Sequence, residues 1–258
     1  METKKPLKTA EPPEFMAKVL LLSNSTMPGT AFFTWPRPHV RNFLGEKPRN
    51  LIFIPFAAVS FPFDDYEEIV RKVFNEMNYS IFSIHKLSNK KKAIEDAEGI
   101  VVGGGNTFAL LSRLQEENLI DLIRQKASGG TPYIGWSAGA NLACPTIMTT
   151  NDMPIVQPRS FDALNLIPFQ INPHYHEQRF ENQGGETRKE RLNEFLVLNP
   201  DKAVIGLPEG MLLRYEEDTI SLLGDGAAKL YQAGKPAVEV KAESDLSFLI
   251  AQKAGALK

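Results

Sequence analysis

At 258 residues and 28.8 kDa, with 43% apolar and 23% charged residues, the chain has the make-up of one large globular domain or two small ones. Its 29 basic and 31 acidic side chains leave a net charge of −2, which excludes a nucleic-acid binder working by bulk charge. A lone cysteine, Cys144, excludes an intrachain disulfide and any structural zinc site that needs two thiolates. Such sparse cysteine use fits a reducing, cytoplasmic home, and no apolar run approaches the roughly 18 residues of a membrane span, so no membrane partner is expected.

Residues 1–16 are charged, carry three prolines and lack the apolar core of a signal peptide; they read as a disordered leader. Residues 17–258 then read as a single domain. Ala17–Leu22 is an apolar run closed by polar Ser23-Asn-Ser-Thr, a buried strand and its loop. Loop chemistry fills Met27–Pro38, and Leu51–Pro55 is the next apolar run. From Asp64 to Met77 the period becomes helical, with Ile69, Val70, Val73, Phe74 and Met77 on one face and Asp64 and Asp65 at the start. Tyr79–His85 alternates like a strand, and Ser88 is placed to cap a helix over Lys90–Ala97. The short run Gly99–Val102 enters three glycines, followed by helices from Thr107 to about Glu117 and over Leu119–Ala127, then a strand at Pro132–Ile134.

This alternation predicts an α/β fold with a mainly parallel sheet covered by helices on both faces, its sites at the carboxyl ends of strands. The second half is less regular. It holds a loop-rich stretch from Pro145 to Gly185, a helix near Lys189–Leu198, a strand at Ala203–Gly206, and a hairpin of Leu212–Tyr215 and Thr219–Leu223.

Gly135-Trp-Ser-Ala-Gly139 fits G-x-S-x-G, with a strand before it and a small-residue helix after it. A sharp strand-to-helix turn of this kind lifts a serine hydroxyl clear of the sheet and needs small neighbours. Ser137 is therefore the candidate nucleophile, and such a serine needs a base. Of the four histidines, His39 and His85 fall in structural contexts, leaving His174 (after Ile171-Asn-Pro173) and His176 as rival bases. His-x-His with no carboxylate at ligand spacing makes a poor metal site. The orienting acid is open among Asp152, Asp162, Glu186 and Glu209, with Glu209 placed at a strand end. Gly103-Gly-Gly-Asn-Thr-Phe108 lacks the third glycine of a dinucleotide fingerprint, but its backbone N–H groups could meet an oxyanion beside Ser137. Cys144 reads as a buried, inert thiol.

Several blocks together resemble the peptidase E family of α-aspartyl dipeptidases, serine peptidases with a fold like that of class I glutamine amidotransferases. They include Leu20-Leu-Leu-Ser-Asn-Ser-Thr26, Val101-Val-Gly-Gly-Gly-Asn-Thr-Phe108, Tyr133-Ile-Gly-Trp-Ser-Ala-Gly139, Thr149-Thr-Asn-Asp-Met-Pro154, Gln170-Ile-Asn-Pro-His174, Gly185-Glu-Thr-Arg188 and Val204-Ile-Gly-Leu-Pro-Glu-Gly210. The resemblance covers about residues 17–213 and implies hydrolysis of Asp-X dipeptides without a metal or other cofactor. It puts the nucleophile on Ser137, the base on His174 and the acid on Glu209 or Asp152, with Glu209 favoured. Alongside it, the expected oxyanion donors are the N–H groups of Gly105 and Ala138, and the cation for the substrate's β-carboxylate is Arg188. A homodimer stays open, as do a non-catalytic module for a small anion or nucleotide and a cyanophycinase-like or isoaspartyl hydrolase.

Overall fold

The computed structural model describes residues 17–47, 49–178 and 184–250, so the leader read at 1–16 lies outside the described residues. In chain order the first elements are β1 (Val19–Leu22), α1 (Arg37–Leu44), β2 (Arg49–Ile54), α2 (Phe63–Glu76), β3 (Tyr79–Ser83) and α3 (Lys90–Asp96). Next come β4 (Gly99–Val102), α4 (Thr107–Glu116), α5 (Ile120–Ser128), β5 (Tyr133–Trp136), α6 (Ala138–Leu142) and β6 (Gln170–Pro173). The chain ends with α7 (Arg188–Leu198), β7 (Ala203–Leu207), β8 (Met211–Glu216), β9 (Thr219–Gly224), β10 (Ala227–Gln232) and β11 (Val238–Lys241).

A seven-stranded sheet has the order β3-β2-β4-β5-β1-β8-β9, parallel from β3 through β1 and antiparallel at β8 and β9. Every residue of β1, β4 and β5 is buried, as expected of central strands covered on both faces. The pleat sends Leu20 and Leu22 into a core with Phe33, Phe74 and Trp136 under α1 and α2. Val19 and Leu21 enter the opposite core with α3–α6. That second core also takes Ile171, Ile205 and Leu230 from a separate four-stranded sheet, β11-β10-β7-β6. The other face of this smaller sheet packs Val204 and Tyr231 against Leu192 and Leu196 of α7.

The sequence reading is right about the α/β class and the added C-terminal strands, and the structure corrects it locally. Residues read as loop before Pro38 run into α1, with Pro36 at the N-cap and Pro38 in the first turn, where a missing N–H costs nothing. His39 therefore rides on a helix. Asn89, not Ser88, caps α3, its side chain accepting the Lys92 N–H at 3.0 Å. The strand read to His85 stops at Ser83, and His85 lies on the 3₁₀ turn Ile84–Lys86. The strands before His174 and Glu209 belong to the smaller sheet rather than the main one. Their uniformly buried residues look the same in either setting.

The two sheets bring their strand ends together. The carboxyl ends of β1, β4 and β5 meet those of the parallel pair β6 and β7.

Candidate active site

Ser137 leaves β5 with φ 52° and ψ −113° as the N-cap residue of α6. A side chain rarely adopts that backbone, and its persistence marks a site the surroundings hold. The Ser137 N–H donates to the Leu22 carbonyl at 3.1 Å. The flanking glycines are needed for close approach. A Cβ on Gly135 would stand 2.3 Å from the Gly139 carbonyl oxygen, and one on Gly139 only 2.2 Å from that of Val102. The glycine turn after β4 lies against the serine, since a Cβ on Gly104 would come within 3.0 Å of Ser137 Cβ. Gly105 has φ +137° and abuts the Ala57 carbonyl. Ala138 opens α6, so its N–H has no intrahelical acceptor.

His174 also has a left-handed backbone, φ 52°. Its Nε2 lies 3.0 Å from Ser137 Oγ and its Nδ1 2.6 Å from Glu209 Oε1. Two buried side chains that sequence reasoning passed over as loop residues hold this arrangement. Ser23 accepts the His174 backbone N–H at 2.8 Å and donates to the Leu207 carbonyl at 2.8 Å, so one hydroxyl ties β1 to the ends of β6 and β7. Asn24 accepts the Gly210 N–H at 2.9 Å and steadies the turn that carries Glu209. On the other side, Tyr175 donates its N–H to Leu207 and buries its ring among Leu192, Leu196 and Tyr231. The only sequence signal for these roles was an unusual density of polar residues, Ser23-Asn-Ser-Thr26, directly after a buried strand.

Asp152 is not bonded to the imidazole. Its Oδ2 accepts the Thr107 N–H at 2.7 Å, the Thr107 hydroxyl at 2.6 Å and the Thr150 hydroxyl at 3.1 Å, at the start of α4. A cavity of about 220 Å³ nevertheless joins Asp152, Ser137, Ala138, His174 and Arg188 on one wall. Arg188 opens α7 and is half-buried, and burial, with Arg191 alongside, lowers its guanidinium pKa. It donates a long 3.5 Å bond to the Pro173 carbonyl and forms no close ion pair among the described residues, Glu209 attracting it only at longer range. His176 is exposed, with its pKa lowered mainly by desolvation and also by Arg188. Cys144 is fully buried, its Sγ accepting the Ile171 N–H at 3.2 Å, and burial pushes the thiol up to about 12. Asp162 and Glu186 are exposed and lie outside the cavity. Among the described residues one group has metal-ligand spacing, Asp64–Glu67–His85, and Lys86 already sits 2.7 Å from both carboxylates. Among them, too, no helix is long and apolar enough to cross a membrane.

A serine on a strand-to-helix elbow, bonded in line to a histidine that a carboxylate holds, is the arrangement of serine hydrolases. The chain belongs to peptidase family S51, whose family model matches residues 19–223. It is 50% identical over 233 residues to Peptidase E of Nostoc sp., an alignment covering 90% of this chain and 96% of that one. With Peptidase E of Salmonella newport it shares 46% over 225 residues, 87% of this chain and 98% of the other. The crystal structure of a peptidase from an acI-B1 Actinobacterium has the same fold, with TM-score 0.68 at 19% identity over 90% of this chain and 97% of that one. The chain is thus a peptidase, which sets aside the non-catalytic module.

Proposed function

We propose that the chain is a serine dipeptidase that releases N-terminal L-aspartate from Asp-X dipeptides through an acyl-enzyme on Ser137. His174 Nε2 takes the hydroxyl proton as Oγ bonds to the aspartyl carbonyl carbon. Glu209 accepts a hydrogen bond from the Nδ1–H and holds the imidazole in that tautomer. The N–H groups of Gly105 and Ala138 receive the oxyanion. His174 then protonates the leaving amine, the C–N bond breaks, and water repeats the cycle on the ester to free aspartate. Arg188 binds the β-carboxylate, for which its planar fork is suited.

One observation supports this reading above the others. The Ser137–His174–Glu209 line opens into the same small cavity as a half-buried guanidinium that forms no close ion pair among the described residues. The test is a dipeptide panel of Asp-X, Glu-X, Asn-X and β-linked Asp-X, with Ser137→Ala as control. Asp-X should lead. The control should keep no more than about a thousandth of kcat, the residue that an oxyanion hole alone sustains. Equal turnover of Asn-X, or preference for the β-linked peptide, overturns the assignment, the latter in favour of an isoaspartyl hydrolase. Cytoplasmic residence and the choice between monomer and homodimer complete the proposal, and light scattering on the purified chain decides the oligomeric state.

A further inference from the structure

One buried hydroxyl touches both turns that meet at the nucleophile. Tyr66, in the first turn of α2, packs so close to the glycine turn after β4 that a Cβ on Gly103 would stand 2.8 Å from its ring. Its Oη accepts the Trp136 indole N–H at 2.9 Å and donates to the Gly104 carbonyl at 3.2 Å. The indole proton fills the acceptor side of the hydroxyl, so the phenolic proton is directed at Gly104. Burial pushes the phenol far above its ordinary pKa, which keeps it a neutral donor at any pH near neutrality. Trp136 immediately precedes Ser137, and Gly104 immediately precedes Gly105.

A peptide unit is planar, so its C=O and N–H point in opposite directions. The Gly104 carbonyl and the Gly105 N–H belong to one such unit, with Gly104 buried and Gly105 exposed. The N–H groups on either side are committed, Gly103 donating to Ile54 at 3.1 Å and Asn106 to Ala57 at 2.8 Å, whereas the Gly105 N–H meets no backbone acceptor among the described residues. We infer that Tyr66 is a positioning residue for the oxyanion hole: its hydroxyl holds the Gly104 carbonyl inward and thereby turns the Gly105 N–H toward the oxyanion beside Ser137. This rests on the proposed serine mechanism with Gly105 as a donor, and adds what fixes that donor. Flanked by two glycines, the peptide has no Cβ to oppose a flip. A flipped unit would present a carbonyl oxygen where negative charge develops, turning a stabilising dipole into a repulsive one. The far flank of the turn is held separately, since Arg113 donates to the Phe56 and Ala58 carbonyls at 2.6 and 2.7 Å and steadies the segment that takes the Asn106 N–H.

Tyr66→Phe tests the assignment, because it removes the hydroxyl and keeps the ring that packs edge-on against Phe53 and Trp136. With Asp-Leu as substrate, kcat should fall by about 10- to 100-fold, a part of what losing an oxyanion donor outright costs, and KM should stay within about twofold of wild type. Affinity for the α-aldehyde of aspartate should fall in parallel with kcat. That inhibitor adds to Ser137 Oγ and leaves its oxygen in the hole as the transition state does, so its Ki follows the hole rather than the rest of the pocket. Incorporating 4-aminophenylalanine at Tyr66 restores a donor to the Gly104 carbonyl and should return kcat to within about fivefold of wild type.

A Tyr66→Phe enzyme that melts as a folded protein and keeps both kcat and aldehyde affinity within about threefold of wild type overturns the inference. So does one whose KM rises as far as its kcat falls, or one that the 4-amino ring does not rescue, since the hydroxyl then serves packing alone. Should the phenylalanine variant not fold, the 4-aminophenylalanine protein carries the test by itself, and a loss of about tenfold or more in its kcat overturns the inference. Wild-type protein that neither reacts with a fluorophosphonate nor turns over Asp-Leu refutes the serine dipeptidase reading instead. Wild-type protein that turns over Asp-Leu but binds the aldehyde no more tightly than the dipeptide refutes the oxyanion hole, and the inference with it.

Discussion

Replacing Glu209 with glutamine keeps size and shape while exchanging an acceptor for a group that can donate. The carboxylate lies 2.6 Å from His174 Nδ1, close enough to fix the proton there and point the Nε2 lone pair at Ser137 Oγ, 3.0 Å away. A glutamine NH₂ at that place donates to Nδ1, moves the ring proton to Nε2 and aims a donor at the nucleophile. In a buried serine triad the corresponding change costs about 10⁴ in kcat. Here the Glu209 and His174 side chains are 42% and 37% exposed, so water shares the work of solvating the imidazolium. Screening of that order reduces an ion pair's contribution, which brings the expected loss to about 10²–10³ in kcat. KM should barely move, because the carboxylate touches the imidazole and not the substrate. Steady-state kinetics on Asp-Leu, fluorophosphonate labelling of Ser137 and a thermal melt measure the three parts separately. A Glu209→Gln enzyme that keeps kcat within about tenfold of wild type, with normal labelling, refutes Glu209 as the imidazole's partner.

Ser23→Ala removes one hydroxyl that serves two buried backbone groups, and should cost about 2–4 kcal/mol of stability. Its kcat should fall by about 10²-fold as the imidazole drifts, and a lowered Tm with unaltered kcat would make Ser23 a structural tie only. Arg188→Ala should weaken Asp-X turnover and narrow its lead over Asn-X; a mutant keeping both the rate and the preference would show that another cation reads the side chain. Because burial pushes the Cys144 thiol up to about 12, it stays protonated below that pH, and Ellman's reagent at pH 8 should label it only after denaturation. Rapid labelling of the native enzyme contradicts that burial.

The elbow at Ser137, the glycine turn at Gly103–Gly105 and the alternation of strands and helices through the first half were legible because each is a local pattern. Small residues at fixed offsets follow from the crowding of one turn, and periodicity follows from which face of one element is buried. Pattern alone did not separate His174 from His176 or Glu209 from Asp152, since both members of each pair sit in polar loops after apolar runs. The family resemblance chose the histidine and leaned to Glu209, and neither preference could be read from local pattern. His174 and Glu209 end adjacent parallel strands of the smaller sheet, while Asp152 is drawn off by the start of α4. Ser23 was invisible in its role: its hydroxyl meets a carbonyl 184 positions away and an N–H 151 positions away. Those groups come together only when the apolar faces of two sheets are buried in one core. Burial of that kind depends on total area rather than on any local motif, so tertiary structure alone decided where the strand ends would meet.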